Sequence, residues 1–368
     1  MTGSNVPWDA RYQYLSAGVN TGSGWETWNS PPGQFVAYYL QASAAAGYVP
    51  VFSYYELLQS TPSAGADEAS RDLSNLANAA TMNAYYVNWK LLMTQCAQAT
   101  GPVVVHVEPD LWGYIEQQVD GASNDASNVP ASVASSGNAD AAGLPDNAQG
   151  FAQALVNMRD RYAPKVVLAI HLSDWGTKAD WSSGTTLDIP TLAARGAAFL
   201  KTCGSGWNLM FTDVSDRDAD YYQLVVGASG HWWQPSDFDR FRQWIGLVNQ
   251  ATGLRCVVWQ IPCGNTIMRS CDDTTGHYQD NRPQYFLESY PTNTSISDWA
   301  RSGVIGLLFG AGATGCTTYD DTMNDGITNP ATIPANNSGE TATFSDDDGG
   351  YLRLRGGSYY KAGKLSLP

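Results

Sequence analysis

Seven short, nearly unbroken apolar runs recur along the chain, each separated from the next by a longer segment with helical spacing. They are RYQYLSAGVN (11–20), VPVFSYY (49–55), PVVVHVE (102–108), KVVLAIHLS (165–173), WNLMFTDV (207–214), LRCVVWQI (254–261) and VIGLLFGAG (304–312). A strand with one wet face alternates apolar and polar residues, whereas a continuous apolar run needs cover on both faces. Runs of this kind joined by helical crossovers are the pattern of a parallel sheet clothed in helices. Several intervening segments, such as QFVAYYLQASAAAG and SDFDRFRQWIGLVNQATG, end in Gly just before the next run, where a left-handed helix stop belongs.

Seven such units, with an eighth strand expected in GYLRLRGG (350–357), fit an α/β fold of the (β/α)8 or TIM-like barrel type, seven-stranded or distorted. An open doubly wound sheet is the competing architecture. No GxGxxG follows a strand, which removes support for its nucleotide-binding versions. The expectation is a single catalytic barrel over residues 1–368, with polar insertions at about 119–148 and 313–350 on the C-terminal face, where barrels build their active sites.

The charge narrows the partners. Thirty-five acidic residues against 20 basic ones give −15, without a long Lys/Arg run, so nucleic acid and anionic membranes are poor partners. Thirteen tryptophans and 20 tyrosines, many beside Gly, Asn, Ser and Asp, suit neutral sugars, whose C–H faces stack on rings and whose hydroxyls need polar neighbours. Each aromatic has core packing as its alternative. Six cysteines without paired CxxC spacing fit an oxidising compartment, with Cys263 and Cys271 placed to staple one loop. No leader or membrane-length apolar run is visible, and the expectation is a secreted, monomeric protein whose leader has been removed.

Carboxylates and indoles gather at the ends of the apolar runs. The third ends in Glu108 and Asp110, the fourth in His171, Asp174 and Trp175, the fifth in Asp213, Asp216 and Asp218, and the sixth in Trp259 and Gln260. Alternation along a strand puts His106 and Glu108 on one side, expected to be the barrel interior, with Glu108 at the rim and Pro109 ending the ladder behind it. A buried carboxylate paired with Arg is the alternative for Glu108, and a helix cap that for Asp110. Paired carboxylates flanking a cleft are what glycosidic cleavage needs, one protonated to donate to the leaving oxygen and one ionised as base or nucleophile. A separation of roughly 5 Å gives retention and roughly 6.5–9.5 Å inversion, and a pair two strands apart, such as Glu108 and Asp213, leans towards inversion.

The stretch VEPDLWGYIE resembles the E-P-D motif of family 6 glycoside hydrolases, the cellobiohydrolases and endoglucanases. FTDVSDRDADYY is similar to the same family's D-R-D motif, although the two motifs stand here in the opposite order. The resemblance implies that Asp110 is the catalytic acid, with Asp216 or Asp218 assisting, and a β-glucan such as cellulose as substrate. From the residues alone, Glu108 and Asp110 remain rival acids, with Asp213, Asp216, Asp218 and Asp174 for base or electrostatic help. Trp112, Trp175, Trp232, Trp233 and Trp259 are candidate sugar platforms. Gln260, His106, His171 and Arg282 complete the substrate-binding candidates.

No cofactor is called for. A metal centre built from His106 and His171 needs Glu108 or Asp213 as a third ligand, and the clusters TYDDTMNDG and SDDDGG are calcium candidates, with a solvated acidic loop as the alternative. The absence of GxSxG weakens an esterase reading. The competing functions are a non-catalytic carbohydrate-binding barrel and a metal-dependent polysaccharide deacetylase or lyase.

Overall fold

The computed structural model describes residues 6–179, 181, 186–215, 217–267, 278–310 and 351–367. Seven strands, β1 (Ala10–Leu15), β2 (Val49–Tyr54), β3 (Val104–Val107), β4 (Val167–His171), β5 (Leu209–Asp213), β6 (Arg255–Ile261) and β7 (Val304–Phe309), pair in parallel in sequence order. The crossovers carry α1 (Gln34–Ala46), α2 (Glu68–Leu76), α3 (Ala79–Cys96), α4 (Pro109–Val119), α5 (Ala148–Tyr162), α6 (Ile189–Thr202), the short α7 (Ala219–Tyr221), α8 (Pro235–Thr252), α9 (Arg282–Leu287) and α10 (Ser295–Arg301). All seven expected strands are present, and the sheet curls into a nearly closed barrel. At the seam Gly310, just after β7, leaves no room for a side chain against the Tyr12 ring of β1.

Period-two alternation explains the layering. Outward residues such as Phe52, Tyr54, Val105, Val107, Leu168 and Ile170 are buried under the helices. Inward residues Val51, Ala169, Phe211, Val257, Trp259 and Leu308 form a second apolar cluster inside the barrel. Glycine ends α1 and α8 as expected, since Gly47 and Gly253 both adopt φ +77°, where a side chain would be strained.

The eighth expected strand is a helix. Residues 351–362 form α11 (Tyr351–Ala362), whose Tyr351, Leu352 and Gly356 are buried. The alternation Y-L-R-L-R imitated a strand, but Gly356 lets the Trp8 ring lie against one helical face, and Tyr351 and Arg355 both bond Glu288. The 119–148 segment forms three 3₁₀ turns packed on the outer helices, through Asn83 to Ser136 and Lys90 and Arg161 to Asp140. Among the described residues the mouth is lined from the C-terminal ends of β1 to β6 and the segments that follow them.

The insertion at 313–350 and both acidic clusters proposed for calcium lie outside the described residues. So do Cys271 and Cys316, and with Cys271 the expected staple. Cys96, Cys203 and Cys256 are buried thiols without a disulfide. Among the described residues no helix is long and apolar enough to cross a membrane.

Candidate active site

The turn from β3 into α4 sets the geometry. Glu108 adopts φ +41° and ψ +71°, and Pro109 fixes the first helical position immediately after it. A positive φ at a non-glycine residue is uncommon, and here it breaks the strand's alternation. Glu108 therefore does not follow His106 into the barrel. It is fully buried on the other side, where its carboxyl accepts from the Glu56 and Leu57 amides at 3.1 and 3.2 Å, with Tyr85 beside it. Burial outweighs those bonds and pushes its pKa up to about 8. Glu108 does not line the cavity, and its partners are backbone amides instead of an Arg.

The same turn lifts Asp110, in the first turn of α4, over the barrel mouth. It lines a cavity of about 770 Å³ together with Asp174 and Asp213. Burial, then the charges of Asp213 and Glu68, push its pKa up to about 6, while the Tyr55 hydroxyl and His171 oppose the rise. Asp174 opens the 3₁₀ turn after β4 and is held well above the usual carboxylate range, first by burial and then by Asp213. Its amide contacts with Trp175 and the charge of Arg282 act the other way.

Asp213, the last residue of β5, is tied from below. His171 Nε2 lies 3.0 Å from Asp213 Oδ1, His106 Nε2 lies 2.9 Å from His171 Nδ1, and Ser53 Oγ lies 3.4 Å from His106 Nδ1. Both histidines, expected to bind substrate, are buried inside the barrel, and neither lines the cavity. Burial and the neighbouring His171 hold His106 well below the usual imidazole range. Their ring nitrogens face one another, Ser53 and Asp213, and among the described residues no group of three His, Cys, Asp or Glu is arranged to hold a metal ion.

The candidate sugar platforms divide. Trp175 and Trp259 line the cavity, Trp175 half-buried against Tyr114 and Trp259 on the barrel floor over His106. Gln260 lines it too, but bonds the Tyr14 hydroxyl. Trp233 and Arg282 border the cavity yet are almost wholly buried. Arg282 pairs with Asp280 at 2.7 Å and stacks over Trp233.

Trp112 belongs to the core, where its Nε1 donates to the Val107 carbonyl and its ring meets Phe151 and Trp207. Trp232 lies off the cavity, bonded to Gln223. Asp218 is fully buried and accepts from the Gly264 amide, away from the cavity. Asp216 lies outside the described residues.

Several cavity residues escaped the sequence, Tyr55, Trp181, Glu68 and Tyr114 among them. Tyr55 follows β2 beside Glu56, which is buried off the cavity, and Trp181 sits beyond the 3₁₀ turn with its Nε1 bonded to the Asp174 carbonyl. Glu68, at the start of α2, accepts from Tyr114 at 2.9 Å. Its only signal was the helix-start pattern D-E-A-S, which marks a cap and says nothing of a site.

The chain matches no protein-family model and no curated protein sequence. Solved structures similar to it include fungal β-1,4-galactanases, at 12% identity over 84% of this chain and 78% of theirs, TM-score 0.43. The β-mannanase of the blue mussel Mytilus edulis is 11% identical over 84% of this chain and 77% of its own, TM-score 0.39. The endoglucanase Cel6 of Mycobacterium tuberculosis is 14% identical over 68% of this chain and 61% of its own, TM-score 0.35.

Proposed function

We propose that this chain is a secreted glycoside hydrolase that cleaves a neutral polysaccharide, a β-glucan such as cellulose, with Asp110 as general acid and Asp213 as its ionised partner. The observation that carries the reading is the placement of Asp110 and Asp213 on one cavity, with Asp110 raised by burial and by the Asp213 charge. A raised carboxyl that can donate a proton, beside a second carboxyl on the same cleft, is the pairing this chemistry requires. Asp174 is the weaker candidate for the acid. Burial and Asp213 hold Asp174 well above the usual carboxylate range, so it gives up its proton less readily than Asp110, which is raised to about 6.

In the proposed reaction Asp110 gives its proton to the glycosidic oxygen as the C1–O bond breaks, and Asp213 takes a proton from the water that attacks C1. The carboxylates stand two strands apart round the barrel, which favours a water between them and inversion at C1. Trp175, Trp181 and the rings of Tyr14, Tyr55 and Tyr114 supply faces and hydroxyls suited to uncharged sugars. The β-glucan assignment draws on the likeness of VEPDLW to the family 6 motif, and the extracellular one on the acidic composition and even cysteine count.

The test is reducing-end release from a panel of neutral polysaccharides by the wild type, Asp110→Asn and Asp213→Asn. Asp110→Asn is expected to lose about 10²–10⁴-fold on polysaccharide and much less on an aryl glycoside whose leaving group needs no proton. Asp213→Asn is expected to lose both activities. A folded wild type that binds glucan and cleaves nothing in the panel would make this a binding barrel.

A further inference from the structure

The barrel interior holds a polar path that the acid and base roles leave unused. Ser53, His106, His171 and Asp213 stand on four successive strands and point inward. Ser53 pairs in register with His106, His106 with Ala169, and His171 with Phe211. From β3 onward each step therefore climbs by two residues, one inward layer, and the path rises from the packed core to the mouth. Phe211 stacks on His106 at 4.3 Å, and the Trp259 edge meets both imidazoles at 4.9 and 6.0 Å.

The bonding admits one direction when Asp213 is ionised and both imidazoles are neutral. A carboxylate only accepts, so His171 Nε2 must carry the hydrogen. Nδ1 of the neutral His171 is then an acceptor, to which His106 Nε2–H donates, and His106 Nδ1 in turn accepts from the Ser53 hydroxyl. Which imidazole nitrogen carries the proton is set by the bond its other nitrogen makes. Here that rule applies twice in series.

We propose that Ser53 and His106 are positioning residues that fix the Nε2–H tautomer of His171, so that His171 always presents a donor to Asp213 Oδ1 and leaves the other oxygen for the reaction. Asp213's role in turnover rests on the glycosidase reading, whereas the tautomer pattern does not. The charged and titratable groups facing this end of the path are Asp110 from α4, Asp174 from the turn after β4, and, through Asp174, Arg282 of α9.

The experiment is long-range ¹H–¹⁵N NMR of the full chain labelled at histidine, read beside the kinetics of His106→Leu, His106→Gln and Ser53→Ala. At neutral pH, His106 and His171 are expected as neutral Nε2–H tautomers in the wild type. His106→Leu is expected to mix the His171 tautomers and lower kcat about 10- to 100-fold, by analogy with the loss on removing the hydrogen-bond partner of a metal-ligating histidine, with KM within twofold. His106→Gln keeps both a donor and an acceptor and is expected to restore most of that loss. Ser53→Ala is expected to act in the same direction by a smaller factor.

An Nδ1–H or doubly protonated His171 in the wild type overturns the proposal, as does a folded His106→Leu protein with unchanged kcat. Should His106→Leu not fold, the wild-type tautomers and Ser53→Ala decide. The expected tautomers in a protein that cleaves no glycan would keep the positioning path and remove the glycosidase reading, and the converse result would do the reverse.

Discussion

Replacing Tyr55 with Phe is expected to extend activity to higher pH. The Tyr55 hydroxyl stands beside the Asp110 carboxylate and favours its ionised form, against burial and the charges of Asp213 and Glu68 that bring the group to about 6. A hydrogen bond to a charged group contributes roughly 1.5–3 kcal/mol. Asp110 and Tyr55 are both open to the cavity, so we take the lower end, about 1.5 kcal/mol. At about 1.4 kcal/mol per unit this is a shift of about one pKa unit.

A general acid works only when protonated, so kcat/KM falls as pH rises through its pKa. Loss of the donor raises that pKa, and the alkaline limb should move from near 6 towards about 7. The phenol does not blur the measurement, because burial and Asp110 hold it far above its usual range. The assay is kcat/KM against pH on a soluble glucan oligomer, with the thermal midpoint recorded at each pH. An alkaline limb that stays in place, or moves down, in a folded Tyr55→Phe protein would refute the assignment of that limb to Asp110.

Three further outcomes follow from the same geometry. Gly113→Ala on α4 puts a methyl group into the Trp175 ring and is expected to lower stability by about 1–3 kcal/mol, with a raised KM, measured by urea unfolding and steady-state kinetics. Trp181→Ala removes a cavity wall and its bond to the Asp174 carbonyl, and is expected to raise KM several-fold more than it changes kcat. Glu116 is buried without a hydrogen-bonding partner among the described residues and is pushed up to about 8, chiefly by burial. Its folded pKa exceeds the unfolded value of 4.5, so its neutral form is tolerated below pH 4.5 and stability is lost as pH rises through about 8. Glu116→Gln is therefore expected to flatten that decline, with a gain on the order of 2–4 kcal/mol above pH 8 and little change at pH 4, read from thermal midpoints across the range.

The barrel was legible because the signal for a parallel strand is local. An apolar run such as VVVHV or VVWQI must be covered on both faces, and the glycines that stop α1 and α8 stand next to the strands they precede. The gathering of Asp110, Asp174 and Asp213 at one end followed from the same reasoning, since parallel strands bring all their C-terminal ends to one rim. Segment 350–357 was misread because five alternating residues suit a strand as well as one buried face of a helix, and the Trp8 ring against Gly356 is a contact between the chain's two ends.

What the sequence by itself determined was thus the repeating unit, its direction, and the rim on which the carboxylates stand, all consequences of which residues neighbour one another along the chain. What only the tertiary structure decided was which way each of those groups points. A single positive φ at Glu108 turned one rival acid into the wall and lifted the other over the mouth, and strand register set His106 beside His171 and His171 beside Asp213. The protonation of Asp110 likewise depends on Tyr55, Glu68 and Asp213, which only the closing of the sheet brings within reach. Backbone torsion at one residue and distance across a barrel are properties of the folded whole, and alternation along a strand carries neither.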